Sequence, residues 1–171
     1  MPSTIAWYSN VHGAPSRIVT VPEGTSQTFS KGDLVIYDTS DDGVVIIADT
    51  AGVPDAQDFY GIALQDASGT DGTDIDVLVP QAGDLFEASL ASAESTEVAP
   101  VRSAVTGQPY GLIQMTTGEY VVDNGNVNWV KVLGLHPADA QLRQSKTTLS
   151  AGDRVIFKFL ESVLDNAGDV A

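Results

Sequence analysis

The sequence predicts a mainly β protein, a compact antiparallel barrel or sandwich with an extended N-terminal arm and at most one or two short helices. Three observations carry this reading. Apolar residues come in short runs, some alternating with polar ones at period two, the repeat of a half-buried strand. Turn residues separate the runs at spacings of about 8–12 residues, giving about ten strands, as in a sandwich or barrel rather than a parallel sheet wrapped by helices. The chain has 171 residues and is 43% hydrophobic, enough material for a core in one domain of ordinary size.

Residues 1–16 show no periodicity and carry Gly13, Pro15 and several Ser, Asn and Thr. They read as an arm or loosely held tail, ahead of a β-rich domain over 17–171 with a possible sub-division near 91–100. Trp7-Tyr8 is the exception within the arm. Two adjacent large rings either pack back on their own molecule or anchor in a neighbouring chain, where such rings are favoured, so both are candidate inter-subunit contacts.

From Arg17 the chain alternates strands and turns. Arg17–Val21 is followed by the turn Pro22-Glu-Gly24. Leu34–Tyr37 and Val44–Ala48 flank a connection whose Asp42-Gly43 is a hairpin signal. Phe59–Leu64 and Ile75–Val79 flank "QDASGTDGTD". In Asp74–Val79, Ile75, Val77 and Val79 fall on one face while Asp74 and Asp76 fall on the other. Leu85–Leu90 precedes "ASAESTEVAP", a loop or linker. Gly111–Thr116 and Tyr120–Val122 are short strands. Asn124-Gly125 then predicts a hairpin into Val127–Leu133, because Asn-Gly accepts the positive φ angles of a type I′ turn. Pro137 is placed to open a short helix. Arg154–Leu160 closes the set, with Val155, Phe157 and Phe159 on one face.

One phrase occurs twice. "SKGDLVIYD" spans Ser30–Asp38 and "SAGDRVIFK" spans Ser150–Lys158. In each, Gly supplies a turn, Asp accepts hydrogen bonds from nearby backbone N–H groups, and Val-Ile starts a strand. The repeat is punctuation and needs no chemistry.

Charge is unevenly divided. The net charge is −15, and residues 1–101 hold 16 acids against only Arg17 and Lys31, whereas residues 102–171 hold seven acids and six bases. The basic footprint that phosphate binding requires is missing, which argues against nucleic acid as a partner. The balance fits either a solvated acidic surface or an acidic part facing water while the nearly neutral part faces a partner. No apolar run is long enough to span a membrane, and Met1–Tyr8 lacks the basic and apolar regions of a signal peptide.

Reactive chemistry is sparse. Cysteine is absent, and the two histidines are His12, in the arm, and His136, beside Pro137. There is no Gly-x-Ser-x-Gly elbow and no phosphate-binding glycine loop. Asp66, Asp71, Asp74 and Asp76 offer hard oxygen ligands, but their spacing does not match an EF-hand, and an acidic turn explains them. Lys31-Gly32-Asp33 has the letters of an integrin-binding tripeptide and already has a turn role. The residues therefore point to a binding or assembly module, not an enzyme, with no cofactor or metal.

The segment Phe29–Ala88 resembles the small capsid decoration (cement) proteins of tailed bacteriophages. The resemblance rests on the Gly-Asp-led strand, a hairpin ending near "IADT", then "FYGIAL", an acidic turn and "IDVLVPQAGDLFEA". The later "WVKVLGLHPADA" and "AGDRVIFKFLES" fit the way such proteins close. It implies a β-tulip-like module on the outer surface of an expanded icosahedral head, made in the host cytoplasm. Such a module would bind the major capsid protein, gather as homotrimers at or near three-fold positions, and reach a neighbour with its N-terminal segment. The alternative is another virion β-module, a head fibre, tail or adsorption protein, binding a carbohydrate or host surface.

Overall fold

Alternating side chains along short runs leave the chain little choice but strands that bury one face. In a computed structural model these strands form two sheets. The structure describes residues 5–11, 17–38, 44–47, 59–90, 109–116, 119–123, 129–138 and 153–164. The strands are β1 (Ala6–Asn10), β2 (Arg17–Pro22), β3 (Leu34–Asp38), β4 (Val44–Ile47), β5 (Phe59–Ala63) and β6 (Asp74–Val79). They continue with β7 (Asp84–Leu90), β8 (Pro109–Thr116), β9 (Glu119–Asp123), β10 (Val130–Leu135) and β11 (Arg154–Phe159). A four-residue helix, α1 (Glu161–Leu164), follows β11.

The first sheet has the order β1-β7-β11-β10-β8-β9 and the second β2-β6-β5-β3-β4. All pairings are antiparallel except one. β7 and β9 run parallel through Ser89↔Val121 and Leu90↔Val122, so the first sheet curls back on itself. The second sheet curls too, since its end strands β2 and β4 approach within 8 Å in Cα position although no ladder joins them. Two curled sheets stacked on each other make a sandwich.

The core between the sheets takes Leu34, Phe59, Ile62 and Leu78 from the second sheet and Phe86, Val132, Phe157 and Phe159 from the first. Rings bridge the layers. Phe59 stacks on Phe159 at 5.1 Å between centroids and meets Trp129 edge-on at 5.5 Å, geometries that add to area burial. The expected face of β11, Val155, Phe157 and Phe159, lies wholly in this core. The expected face of β6 does not. Ile75, Val77 and Val79 join Val35, Tyr60 and Phe29 in a second core on the opposite side of the curled sheet. β5 serves both cores because successive residues of a strand face opposite sides, and a bulge shifts that alternation part-way along it. Val35 pairs with Gly61 and Ile36 with Phe59, leaving Tyr60 as the extra residue, so Phe59 and Ile62 face one core and Tyr60 and Ala63 the other.

Tyr60 ties this second core to pH. Burial pushes its phenol above the ordinary value of 10.0, with Arg17 pulling in the opposite direction and Tyr37 adding to the rise. The native state therefore keeps a proton that the unfolded chain releases, so this stabilisation is intact below pH 10.0 and lost as pH rises through the native value. Melting curves at increasing alkaline pH should show the wild type losing stability faster than Tyr60→Phe. Parallel losses would remove Tyr60 from the account.

Two expectations are corrected. Residues 5–11 are not a loose tail: β1 is an extended strand docked antiparallel on β7, with Ile5 in the core between the sheets. The aromatic pair has high strand propensity, and β7 offers an edge to it. The strands flanking Asn124-Gly125 do not pair as expected, because β8 lies between β9 and β10 and pairs with both; the turn itself lies outside the described residues. β9 pairs antiparallel with β8 and gives its other edge to β7. The possible sub-division near 91–100 lies outside the described residues.

Candidate functional site

Trp7 and Tyr8 do not act as a pair. Trp7 sits opposite Phe86 in the register, and Tyr8 falls at the irregularity between Trp7 and Ser9. Trp7 turns toward the space between the sheets, where its Nε1–H donates to Asp84 Oδ1 at 3.3 Å. Tyr8 turns to the other face and sets its ring edge-on to His136, with centroids 5.5 Å apart. His136 in turn holds Glu87 at 3.0 Å through Nε2 and accepts a hydrogen bond from Ala138 N–H at Nδ1. Both rings remain partly open to solvent, Trp7 at 46% and Tyr8 at 37%. His12, the other histidine, lies outside the described residues.

Asp84 is the fastening point of β1. Its buried carboxylate also accepts from Asn10 Nδ2 at 2.8 Å and from Gln81 N–H at 2.8 Å. The last of these is a turn bond. Asp84 N–H reaches back to the Gln81 carbonyl, and Gly83 has φ +94°. The same arrangement occurs at Ser30–Asp33: Asp33 N–H to the Ser30 carbonyl, Ser30 N–H to Asp33 Oδ2, and Gly32 at φ +94°. This is the pattern of a type II turn, whose third position favours glycine. The repeated phrase thus has a further copy at Gln81–Asp84, legible as "AGD" ahead of β7 and missed because its first residue is not Ser. Asp33 is fully buried, so the Lys31-Gly32-Asp33 tripeptide cannot present its acid to a receptor.

A groove of about 630 Å³ opens between β1 and the second sheet. Ile5 and Trp7 form one wall; Ile62, Leu64 and Leu78 form the other; Lys31 and Asp66 bring opposite charges to it. The Lys31 backbone N–H donates to Asp66 Oδ1 at 2.8 Å, which fixes the carboxylate there.

The four aspartates considered for a cation are dispersed. Asp66 is taken by Lys31 N–H, Asp76 accepts from Thr20 Oγ1 at 2.7 Å, and Asp71 and Asp74 are exposed. Among the described residues no group of three or more acids and histidines could hold a metal ion. The loop is organised from beneath by Glu23, which sequence reading had placed in a turn. Its fully buried carboxylate accepts from Ser68 N–H, Ser68 Oγ–H and Gly69 N–H at 2.8, 2.9 and 2.6 Å. No sequence pattern signals this clamp, because its partners lie 45 and 46 residues away.

Comparison of the chain with protein families, with curated proteins and with solved structures gives no match. Among the described residues no helix is long and apolar enough to cross a membrane. The chemistry assembled here is that of contact: an aromatic-bearing edge strand, a groove beside it, and turns held rigid by buried carboxylates.

Proposed function

We propose that the protein is a structural virion component that binds the outer surface of an expanded capsid through the major capsid protein and stabilises it as a homotrimer. The observation that carries this reading is β1. It is the end strand of its sheet, and Ala6–Asn10 contains no charged residue or proline, the devices that usually protect an open strand edge. Tyr8 stands on this segment and the 60% exposed Val11 directly follows it. Such an edge suits a partner. The resemblance of Phe29–Ala88 to decoration proteins supplies the particle.

Immunogold electron microscopy of particles from the source culture tests this reading. Label spread evenly over heads is the expected result; label confined to a tail or vertex favours the adsorption alternative, to which the groove beside Trp7 would then belong. Absence of label would overturn both. Deleting the chain through Asn10 is a poor control, since it also removes Ile5 from the core. Val11→Glu is better: it should reduce head labelling while leaving the melting temperature unchanged, and full labelling would remove β1 from the contact.

A further inference from the structure

We infer that the outer face of the six-stranded sheet is a docking surface for the acidic part of a second copy of this chain, joined head to tail. Lys131 lies between the core residues Val130 and Val132, and Lys158 between Phe157 and Phe159, so both lysines point away from the core. The register pairs them directly, Lys131↔Lys158. Like charges directly opposite on neighbouring strands destabilise a sheet. Among the described residues neither lysine makes an ion pair. Their half-buried stems lie along the sheet, as long cationic side chains do when only the head needs water. Leu133 is exposed on the same strand as Lys131.

Among the described residues nothing offsets this cationic pair, whereas a carboxylate surface brought up from outside would neutralise it. The same chain supplies carboxylates for one, since residues 1–101 hold 16 acids against two bases and Asp66, Asp71 and Asp74 are exposed together on and beside the loop between β5 and β6. Symmetry then fixes the kind of contact. A two-fold contact centred on this face would set lysines against lysines. Charge complementarity instead requires two different patches, a heterologous contact that closes into a ring or runs on as a filament. This deepens the decoration reading and rests on it for the closed ring; the contact itself rests on register and charge.

Sedimentation of the full-length protein in free solution tests it, separately from any labelling of particles. At low ionic strength the wild type should associate in a concentration-dependent way. Raising salt to about 1 M, where charges are screened within about 3 Å, should weaken association by about tenfold or more. Lys131→Gln with Lys158→Gln should do the same at low salt, and the double variant should melt no lower than the wild type because a like-charge pair is gone. A monomer at every concentration, or association indifferent to both salt and the substitutions, overturns the inference. A destabilised double variant also overturns it, by assigning the lysines to the fold.

Discussion

Gly61→Ala is expected to lower stability by about 3 kcal/mol, near the upper end of what an added methyl costs in a packed core. Gly61 lies in the β5 bulge, opposite Val35. A Cβ there would stand 2.5 Å from Val77 Cγ1 and 2.6 Å from the Leu78 carbonyl oxygen. Neither neighbour can yield cheaply. Val77 is β-branched, fully buried in the second core and stiff about χ1. The Leu78 carbonyl belongs to a strand whose Leu78 pairs with both Ile62 and Ile18, so moving it disturbs ladders on two sides. In a domain of this size the loss corresponds to roughly 6–12 °C in melting temperature. Adding Val77→Ala should relieve the side-chain clash but not the backbone one, so it should recover little. A Gly61→Ala protein that melts with the wild type would mean that β5 and β6 do not approach as closely as described.

The same glycine shows what the sequence could and could not convey. Phe59–Leu64 reads as a strand because it is apolar and bounded by turns. Its neighbour Asp74–Val79 reads correctly as having Ile75, Val77 and Val79 on one face, since alternation is local. The second buried face is not legible. Leu78 packs between the sheets and the bulge sends Tyr60 and Ile62, two residues apart, to different cores, and both facts depend on which strands become neighbours. The expected pairing of the strands across Asn124-Gly125 failed for a related reason: a local turn signal carries nothing about a strand arrangement in which β8 takes both partners. At the candidate site, Trp7 and Tyr8 could be singled out by composition, but their separation onto opposite faces follows from the strand alternation of β1, and residues 1–16 carry no periodicity that announces a strand. Lys131 and Lys158 could each be read as outward-facing from their apolar flanks. That they stand opposite each other could not.

Glu23→Ala should cost about 3 kcal/mol or more, because hydrogen bonds to a charged group contribute about 1.5–3 kcal/mol each and buried donors left unpaired add to the loss. Its carboxylate receives Ser68 N–H and Oγ–H on Oε2 and Gly69 N–H on Oε1. The backbone adds Glu23 N–H to the Thr73 carbonyl and Gly72 N–H to the Glu23 carbonyl, so the residue grips both limbs of the loop between β5 and β6. Removing the side chain leaves the backbone grip near Gly72 and Thr73 but frees the limb at Ser68 and Gly69. Glu23→Gln separates charge from shape. An amide keeps one acceptor oxygen and turns an NH₂ group toward the remaining donors, so its loss should fall between those of the wild type and Glu23→Ala. Urea denaturation gives the order. Hydrogen exchange gives the place, since the Ser68 and Gly69 amides should lose protection before those of β6. The functional consequence follows from the loop's charge. Asp66, Asp71 and Asp74 sit on it or at its end, and a loop held from beneath presents them in one arrangement. If Glu23→Gln proves as stable and as protected as the wild type, the buried carboxylate is not what holds the loop, and this account of its rigidity fails.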